Sequence, residues 1–87
     1  MYLVKFTENA KKELQKLDKH TSKLLLAWIR KNLEGTDNPW QHGKGLTANK
    51  RGQWRYRVGE YRLLVEIKDT ELIILVLAVG HRKNVYL

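Results

Sequence analysis

The order of three kinds of segment along the chain predicts an α+β fold. A short alternating stretch opens the sequence, two segments with helically spaced apolar residues follow, and strand-like stretches occupy about residues 53–58, 61–68 and 71–79. With 87 residues, the chain has room for one domain and one core. We therefore expect a single domain over residues 1–87: an N-terminal strand, an antiparallel helix hairpin and a three-stranded antiparallel meander, with the helices packed on one face of the sheet.

The N-terminal strand is predicted by alternation at the start of the chain. Tyr2, Val4 and Phe6 fall on one side of an extended segment, and Leu3 and Lys5 fall on the other. This pattern is typical of a strand with one buried face.

Two helices are predicted next by caps and by apolar spacing. Thr7 is a residue type that caps helix N-termini, and Asp18 is placed to end the first helix and cap the second. Each helix has one apolar stripe: Ala10, Leu14 and Leu17 on the first, and Leu25, Trp28, Ile29 and Leu33 on the second. Gly35 is expected to stop the second helix. The Gly-rich segment from Gly35 to Gln53 is expected to be a long surface loop, a length that compact domains rarely keep without a function.

The meander is predicted by a two-residue turn, Gly59-Glu60, with glycine in the first central position as a type II′ turn requires. The turn sets the register, which pairs Val58 with Tyr61, Arg57 with Arg62, Tyr56 with Leu63, and Arg55 with Leu64. Alternation then gives the sheet one apolar face that packs on the helices: Trp54, Tyr56, Val58, Tyr61, Leu63, Val65 and Ile67. The last stretch is apolar on both faces from Leu72 to Val79, which indicates a central strand.

The net charge of +8, from 17 Lys and Arg against 9 Asp and Glu, predicts a polyanionic partner. The excess is concentrated between Gln41 and Arg62, where the single acid Glu60 accompanies six basic residues: Lys44, Lys50, Arg51, Arg55, Arg57 and Arg62. A membrane is not indicated, because the longest apolar run, residues 72–79, is far shorter than the ~20 residues of a membrane helix. The chain has no cysteine, and we expect a cytoplasmic protein.

Three arginines, Arg55, Arg57 and Arg62, are expected to share the sheet face opposite the helices. Like charges directly opposite across two strands destabilise a sheet, so the Arg57–Arg62 pair points to a function that needs it. Guanidinium groups donate hydrogen bonds in a fork that matches phosphate oxygens, and the cluster therefore predicts a site for nucleic-acid phosphate. The competing interpretation is a solvated face that keeps the protein soluble.

The last residues of the chain add candidate functional side chains near the strand that carries Arg62. Gly80 allows a change of direction, and His81, Arg82 and Tyr86 follow it. Tyr86 is interpreted as a base-stacking ring, a phenol for proton transfer or a hydrophobic anchor for the chain end.

Two segments together resemble a known family: residues 53–63, Gln-Trp-Arg-Tyr-Arg-Val-Gly-Glu-Tyr-Arg-Leu, and residues 79–86, Val-Gly-His-Arg-Lys-Asn-Val-Tyr. They are similar to the RelE branch of the RelE/ParE toxins of bacterial toxin-antitoxin systems. The resemblance spans the chain, including the order of its elements and the loop motif Gly43-Lys44-Gly45-Leu46. It implies an endoribonuclease that cleaves mRNA at the codon in the ribosomal A site, next to the small-subunit rRNA, and that a cognate antitoxin holds inactive.

The resemblance also implies site residues, position by position. Arg62, Arg82 and Tyr86 match the family's arginines and tyrosine, whereas Arg55 and Arg57 stand where some RelE toxins have lysines. The expected catalytic set is Arg57, Arg62, Arg82, Tyr86 and His81, and the expected RNA-binding set is Lys44, Lys50, Arg51, Arg55 and Lys83. A guanidinium stays protonated at ordinary pH, so Arg55 and Arg57 are expected to hold phosphate rather than transfer protons.

The expected reaction uses no metal and no cofactor, because the candidate site has no acidic metal-binding cluster and the histidines lack zinc spacing. The 2′-OH of the RNA then attacks the adjacent phosphate, giving a 2′,3′-cyclic phosphate and a 5′-OH. Arg57 and Arg62 are expected to stabilise the developing charge. Tyr86 is the expected general base, Arg82 stabilises the departing oxygen, and His81 is a further candidate acid that strand alternation points away from Arg82.

Two other functions stay open on the sequence: a ParE-like gyrase inhibitor on the same fold, and an RNA-binding module without catalysis. The pairing of Arg62 with Tyr86 favours the nuclease. Among the remaining aromatic residues, Trp28 has core-facing spacing, and Trp40 fits either core or surface. His42 is either an RNA contact or an ordinary surface histidine in a Gly-rich turn.

Overall fold

The computed structural model describes residues 1–45 and 52–81. Along the chain, the elements are β1 (Leu3–Phe6), α1 (Glu8–Lys16), α2 (Lys19–Asn32), a 3₁₀ turn (Pro39–Gln41), β2 (Lys44–Gly45), β3 (Gln53–Val58), β4 (Tyr61–Lys68) and β5 (Ile73–His81). The predicted α+β class is confirmed, with its N-terminal strand, its two helices and the meander formed by β3, β4 and β5.

One five-stranded sheet, in the order β1-β5-β4-β3-β2, contains all of these strands. β1 runs parallel to β5, and the other neighbouring pairs are antiparallel. β5 lies between β1 and β4, which confirms the prediction of a central strand from its two apolar faces. The parallel partner itself was not predicted from the sequence.

Both predicted helix caps are present. The Thr7 hydroxyl accepts a hydrogen bond from the Ala10 N–H at 3.1 Å, and the Asp18 carboxylate accepts one from the Thr21 N–H at 3.0 Å. Each cap satisfies a backbone N–H that the first turn of a helix leaves without an intrahelical partner. Because Leu17 and Asp18 alone separate the helices, the Asp18 cap fixes where the chain changes direction.

The second helix ends slightly before the predicted stop. α2 ends at Asn32, and Gly35 has a left-handed φ of 78° in the turn that follows. From there the Gly35 N–H donates to the Tyr2 carbonyl at 2.8 Å, which ties the end of α2 to the start of β1. None of the helices within residues 1–45 and 52–81 has the length and apolar character needed to cross a membrane.

The core lies between the helices and the predicted apolar face of the sheet. Its buried apolar residues are Tyr2, Ala10, Leu25, Ile29, Leu33, Tyr56, Leu63, Val65, Ile67, Ile74, Val76 and Val79. Burial of a large apolar side chain contributes about 1.5–3 kcal/mol, so this face fixes the orientation of β3 and β4. The alternate residues of both strands, including the arginines, consequently lie on the other face.

A β-bulge in β5 lets both halves of that strand face the core. The register between β4 and β5 shifts between Leu64 and Val65, which leaves Leu77 as an extra residue in β5. Val76 and Val79 are three residues apart and are nevertheless both buried, which regular alternation would not allow.

α1 holds this bulge in place. The Leu77 carbonyl accepts hydrogen bonds from the Thr7 hydroxyl at 3.3 Å and from the Asn9 amide at 3.0 Å. The Glu13 carboxylate accepts one from the Val79 N–H at 2.9 Å. The first helix therefore positions the second half of β5, which runs beside the arginine-bearing end of β4.

Two further segments differ from prediction. The segment after Gly35 is more than a surface loop where the structure describes it, because it contains the 3₁₀ turn, a buried Pro39 and β2 paired with β3. β5 spans Ile73–His81 rather than residues 71–79. It begins later because the chain is still turning from Asp69 to Leu72, where Leu72 takes a φ of 56°. It also continues through Gly80, which pairs with Arg62 inside the strand, so the change of direction expected at Gly80 is wrong.

Candidate nucleic-acid interface

The arginine cluster, defined as Arg55, Arg57 and Arg62, lies on the sheet face that points away from the helices. The register is the predicted one, with Arg57 directly opposite Arg62. Gly59 has a φ of 60°, as the first central residue of the predicted type II′ turn requires. The turn therefore determines which arginines meet across the strands.

Lys44 joins the cluster from the edge of the sheet. It lies directly opposite Arg55 in the β2–β3 pairing, so their side chains share one face. The sequence predicted Lys44 as an RNA-binding residue in a loop, and the structure places it on a short strand instead. Four cations thus occupy one end of this sheet face.

No carboxylate in residues 1–45 and 52–81 forms an ion pair with these cations. The ion pairs between described residues lie elsewhere, between the N-terminal ammonium and Asp37 and between Lys11 and Glu8. Burial, and then repulsion from Arg62, lowers the pKa of Arg55. A guanidinium nevertheless stays protonated in proteins, so the cluster attracts anions.

A cavity of about 430 Å³ opens beside the cluster. Residues from α2, from the segment after the 3₁₀ turn and from β3 and β4 line it: Trp28, His42, Gly43, Lys44, Arg55, Arg57 and Arg62. The cations therefore share one space with two aromatic rings.

Hydrogen bonds from β3 hold the rim of this cavity, residues 39–45. The Tyr56 hydroxyl donates to the Pro39 carbonyl at 2.6 Å, and the Trp54 indole N–H donates to the His42 carbonyl at 2.5 Å. Burial raises the pKa of Tyr56, so its hydroxyl keeps the proton that it donates.

Gly43 allows the rim to approach β3 closely. Its φ is 77°, and a Cβ atom at this position would overlap the Arg55 carbonyl oxygen. Any other residue would push the segment away from β3. The glycine thus places His42 and Lys44, its two neighbours, against the cavity.

The chain matches a family model described as the ParE toxin of the type II toxin-antitoxin system, parDE, over residues 4–86. The chain belongs to the RelE/ParE superfamily of toxins. As such it is the toxin of a toxin-antitoxin pair. The resemblance read from the two sequence segments is confirmed at this level.

Two curated relatives of this RelE/ParE toxin align over nearly its whole length. Toxin RelG of Mycobacterium tuberculosis is 32% identical over 85 residues, which cover 98% of this chain and 95% of the relative. A putative RelE-like toxin protein of Escherichia coli is 34% identical over 83 residues, covering 95% of this chain and 85% of the relative.

Solved structures of toxin-antitoxin complexes share the fold. The RelBE2 complex of Mycobacterium tuberculosis matches with a TM-score of 0.82 and 32% identity, covering 93% of this chain and 98% of that chain. The archaeal RelE-RelB complex of Pyrococcus horikoshii matches with a TM-score of 0.73 and 25% identity, covering 97% and 98% of the two chains.

The predicted site residues of the toxin fall into three groups. Arg55, Arg57, Arg62 and Lys44 come together at the cavity. His81 lies opposite Tyr61, with ring centroids 5.6 Å apart, on the face opposite the arginine cluster. Five further residues lie outside the part of the chain that the structure describes: Lys50, Arg51, Arg82, Lys83 and Tyr86.

Sequence reasoning missed the aromatic side of the cavity. Trp28 is half-buried, so it contributes to the core as predicted and also lines the cavity. No spacing rule brings α2 next to residue 42, and the only local signal was a histidine in a basic, Gly-rich segment. Within the described residues, no group of three His, Asp or Glu side chains is placed to hold a metal ion.

Proposed function

We propose that this toxin is an endoribonuclease that cleaves mRNA in the A site of the ribosome. The observation that carries the proposal is the cluster of Arg55, Arg57 and Arg62, held without carboxylate partners among the described residues beside an open cavity. The name of one curated relative, a putative RelE-like toxin protein, supports it.

The substrate's own 2′-OH is the nucleophile in this proposal. The 2′-oxygen forms a bond to phosphorus while the bond from phosphorus to the 5′-oxygen breaks, which gives a 2′,3′-cyclic phosphate and a 5′-OH. Negative charge develops on the phosphate oxygens during this step. Arg57 and Arg62 are the donors that stabilise it, and Arg55 with Lys44 positions the RNA strand.

The proton transfers are assigned to the C-terminal residues. Tyr86 takes the proton of the 2′-OH, and Arg82 stabilises the departing 5′-oxygen, which takes up a proton from water to become the 5′-OH. Nearby guanidinium groups favour the ionised form of a phenol, which otherwise is a weak base at neutral pH. His81 has no part in this proposal, because its place opposite Tyr61 puts it on the other face of the sheet.

The proposed partners are a cognate antitoxin and the ribosome, with its mRNA and small-subunit rRNA, in the cytoplasm. Solved relatives are complexes of a RelE toxin with a RelB antitoxin, which supports an antitoxin partner here. A guanidinium is a poor proton donor, so the acid-base chemistry of Tyr86 and Arg82 is incomplete, and the fixed geometry in which the ribosome holds the mRNA supplements it.

Cleavage assays with two substrates test the proposal. Purified toxin is incubated with naked mRNA and with the same mRNA on programmed ribosomes, and the 5′ ends of the products are mapped. We expect cuts within the A-site codon, bearing a 5′-OH, on ribosomes only. Equal cleavage of naked mRNA would show that the mechanism does not need the ribosome. An absence of cuts in both substrates would show that the toxin is not a nuclease.

A gyrase inhibitor is the second candidate, because the matching family model carries the ParE name. This reading predicts inhibition of DNA supercoiling by gyrase and no RNA cleavage. The same protein preparation in a gyrase supercoiling assay separates the two functions. We expect supercoiling to proceed unchanged.

A further inference from the structure

Besides its cationic side, the cavity has an aromatic side, which consists of Trp28 and His42. The Trp28 ring lies edge-on to the His42 ring, with centroids 5.8 Å apart, and is tilted against Tyr56 at 5.7 Å. Tyr56 is fully buried, whereas Trp28 and His42 are half-buried and line the cavity. Trp28 packs against the core, His42 packs against Trp28, and both rings line the same cavity as the arginine cluster.

These rings are held in position before any ligand arrives. The His42 carbonyl accepts the Trp54 indole N–H, and Gly43 seats the segment against the backbone of β3. Trp28 is fixed by its packing against Tyr56 within the core. A preorganised surface of this kind binds a planar group at a low cost in conformational entropy.

The strand edge beside the rings adds hydrogen-bonding groups. Val58 and Tyr61 flank the two-residue turn, so the backbone N–H and C=O of Arg57 point away from β4. β2 pairs with Trp54 and Arg55, before the edge reaches Arg57. Among residues 1–45 and 52–81, no strand pairs with this edge at Arg57, a residue that also lines the cavity, so its backbone offers one donor and one acceptor there.

We propose that the cavity binds a single nucleotide of the RNA, with its base against Trp28 and His42 and its phosphate against Arg57 and Arg62. This inference rests on the proposed function and adds base recognition to it. A volume of about 430 Å³ falls within the range of about 300–1,000 Å³ that is common for small-ligand pockets. The arrangement of one aromatic and one cationic side matches a nucleotide, which carries a planar base and an anionic phosphate.

Binding of two short RNAs tests the proposal. One is a 2′-O-methyl trinucleotide, which cannot be cleaved through its 2′-oxygen, and the other is the same molecule with an abasic central residue. Dissociation constants are measured by fluorescence anisotropy at one fixed salt concentration, since phosphate binding depends on salt. We expect the missing base to weaken binding by about 5-fold to 150-fold, the range typical of base stacking on an aromatic side chain.

Three histidine variants test whether His42 is responsible for the difference in affinity between the two RNAs. His42→Ala should remove most of the difference between the two RNAs, and His42→Phe, which keeps an aromatic ring, should retain it. Both keep the backbone carbonyl that holds Trp54, so the fold should persist, as circular dichroism can check. His20→Ala, at the exposed start of α2, is the matched control and should leave both dissociation constants unchanged.

Arg57→Ala separates this inference from the proposed function. It should weaken binding of both RNAs by the same factor. If the abasic RNA binds wild-type protein as tightly as the parent while Arg57→Ala weakens both, the base site is wrong and the phosphate site stands. If Arg57→Ala weakens neither, the phosphate site itself is wrong.

Discussion

Arg57 and Arg62 lie directly opposite each other on β3 and β4, and neither forms an ion pair with a residue in the described part of the chain. They follow the pair that flanks the turn, so they form a non-hydrogen-bonded pair, the kind whose side chains lie closest together. Like charges in this position oppose folding, by about 0.2–1 kcal/mol. A phosphate bound between them would attract both guanidinium groups and offset their repulsion.

Removing one charge of this pair should increase the stability of the toxin and reduce its activity. Arg62→Gln keeps the aliphatic stem and deletes the charge, so we expect the free energy of unfolding to rise by up to about 1 kcal/mol. For a domain of this size, that raises the melting temperature by about 4–8 °C. Growth arrest on expression should largely disappear, because the phosphate loses a donor. Thermal denaturation and growth curves measure the two effects.

Two comparisons sharpen the test of the arginine pair. Arg30→Gln, on the exposed side of α2, should change neither stability nor growth arrest. Arg57→Gln combined with Arg62→Gln should stabilise by less than the sum of the two single changes, because both changes remove the same repulsion between Arg57 and Arg62. A loss of stability in Arg62→Gln would show that its side chain supports the fold, contrary to this account.

The sequence predicts those features that depend on neighbouring residues. The Gly59-Glu60 turn sets the β3–β4 register, and Thr7 and Asp18 cap their helices through N–H groups three residues later. The parallel pairing of β1 with β5 joins Leu3 to Ile73, and no local pattern encodes a contact between such distant residues.

The cavity could be predicted only in part, for the same reason. Its three arginines lie on β3 and β4, whose register a turn determines, so their clustering follows from alternation. Its aromatic side depends on how α2 packs over β3, which places Trp28 beside His42. Helical spacing identified Trp28 as a core residue. A side chain that packs on the core and also lines a cavity has the same spacing, so the pattern does not distinguish the two.

Gly43 should be far more sensitive to substitution than Gly59. Both have left-handed φ values, 77° and 60°, but a Cβ atom at Gly43 would overlap the Arg55 carbonyl, whereas nothing lies within 4 Å of one at Gly59. Gly59→Ala should cost about 1–3 kcal/mol of backbone strain, and Gly43→Ala should cost more because the overlap adds to it. Urea denaturation of both variants measures the difference. Equal losses would mean that the close approach at Gly43 contributes nothing.

Tyr56 should stabilise the cavity rim through its hydroxyl. Tyr56→Phe leaves the Pro39 carbonyl without the donor at 2.6 Å, and we expect a loss of about 1–3 kcal/mol in the free energy of unfolding. Tyr61→Phe, on the same sheet face but only half-buried, is the control and should lose less. If the two losses are equal, the rim does not depend on this hydrogen bond.

Tyr56 should also contribute to unfolding at alkaline pH. Burial raises its pKa above that of tyrosine in an unfolded chain, near ~10. Its contribution to stability is therefore complete below ~10 and is lost as the pH rises through the higher folded value. In an alkaline titration followed by phenolate absorbance, one tyrosine should ionise only as the protein unfolds. Tyr56→Phe should remove that step, and a gradual titration of all tyrosines in wild type would contradict the prediction.

Glu13 should matter to the site although it lies on α1, because it holds β5. Its carboxylate accepts the N–H of Val79, whose side chain is buried, so Glu13→Ala leaves this donor without its partner. We expect a loss of about 1–3 kcal/mol in the free energy of unfolding, together with weaker growth arrest, since β5 leads into the C-terminal residues assigned to proton transfer. Glu13→Gln retains an acceptor oxygen and should recover most of both properties. If Gln and Ala behave alike, the negative charge of Glu13, rather than its hydrogen bond to β5, is what the toxin requires.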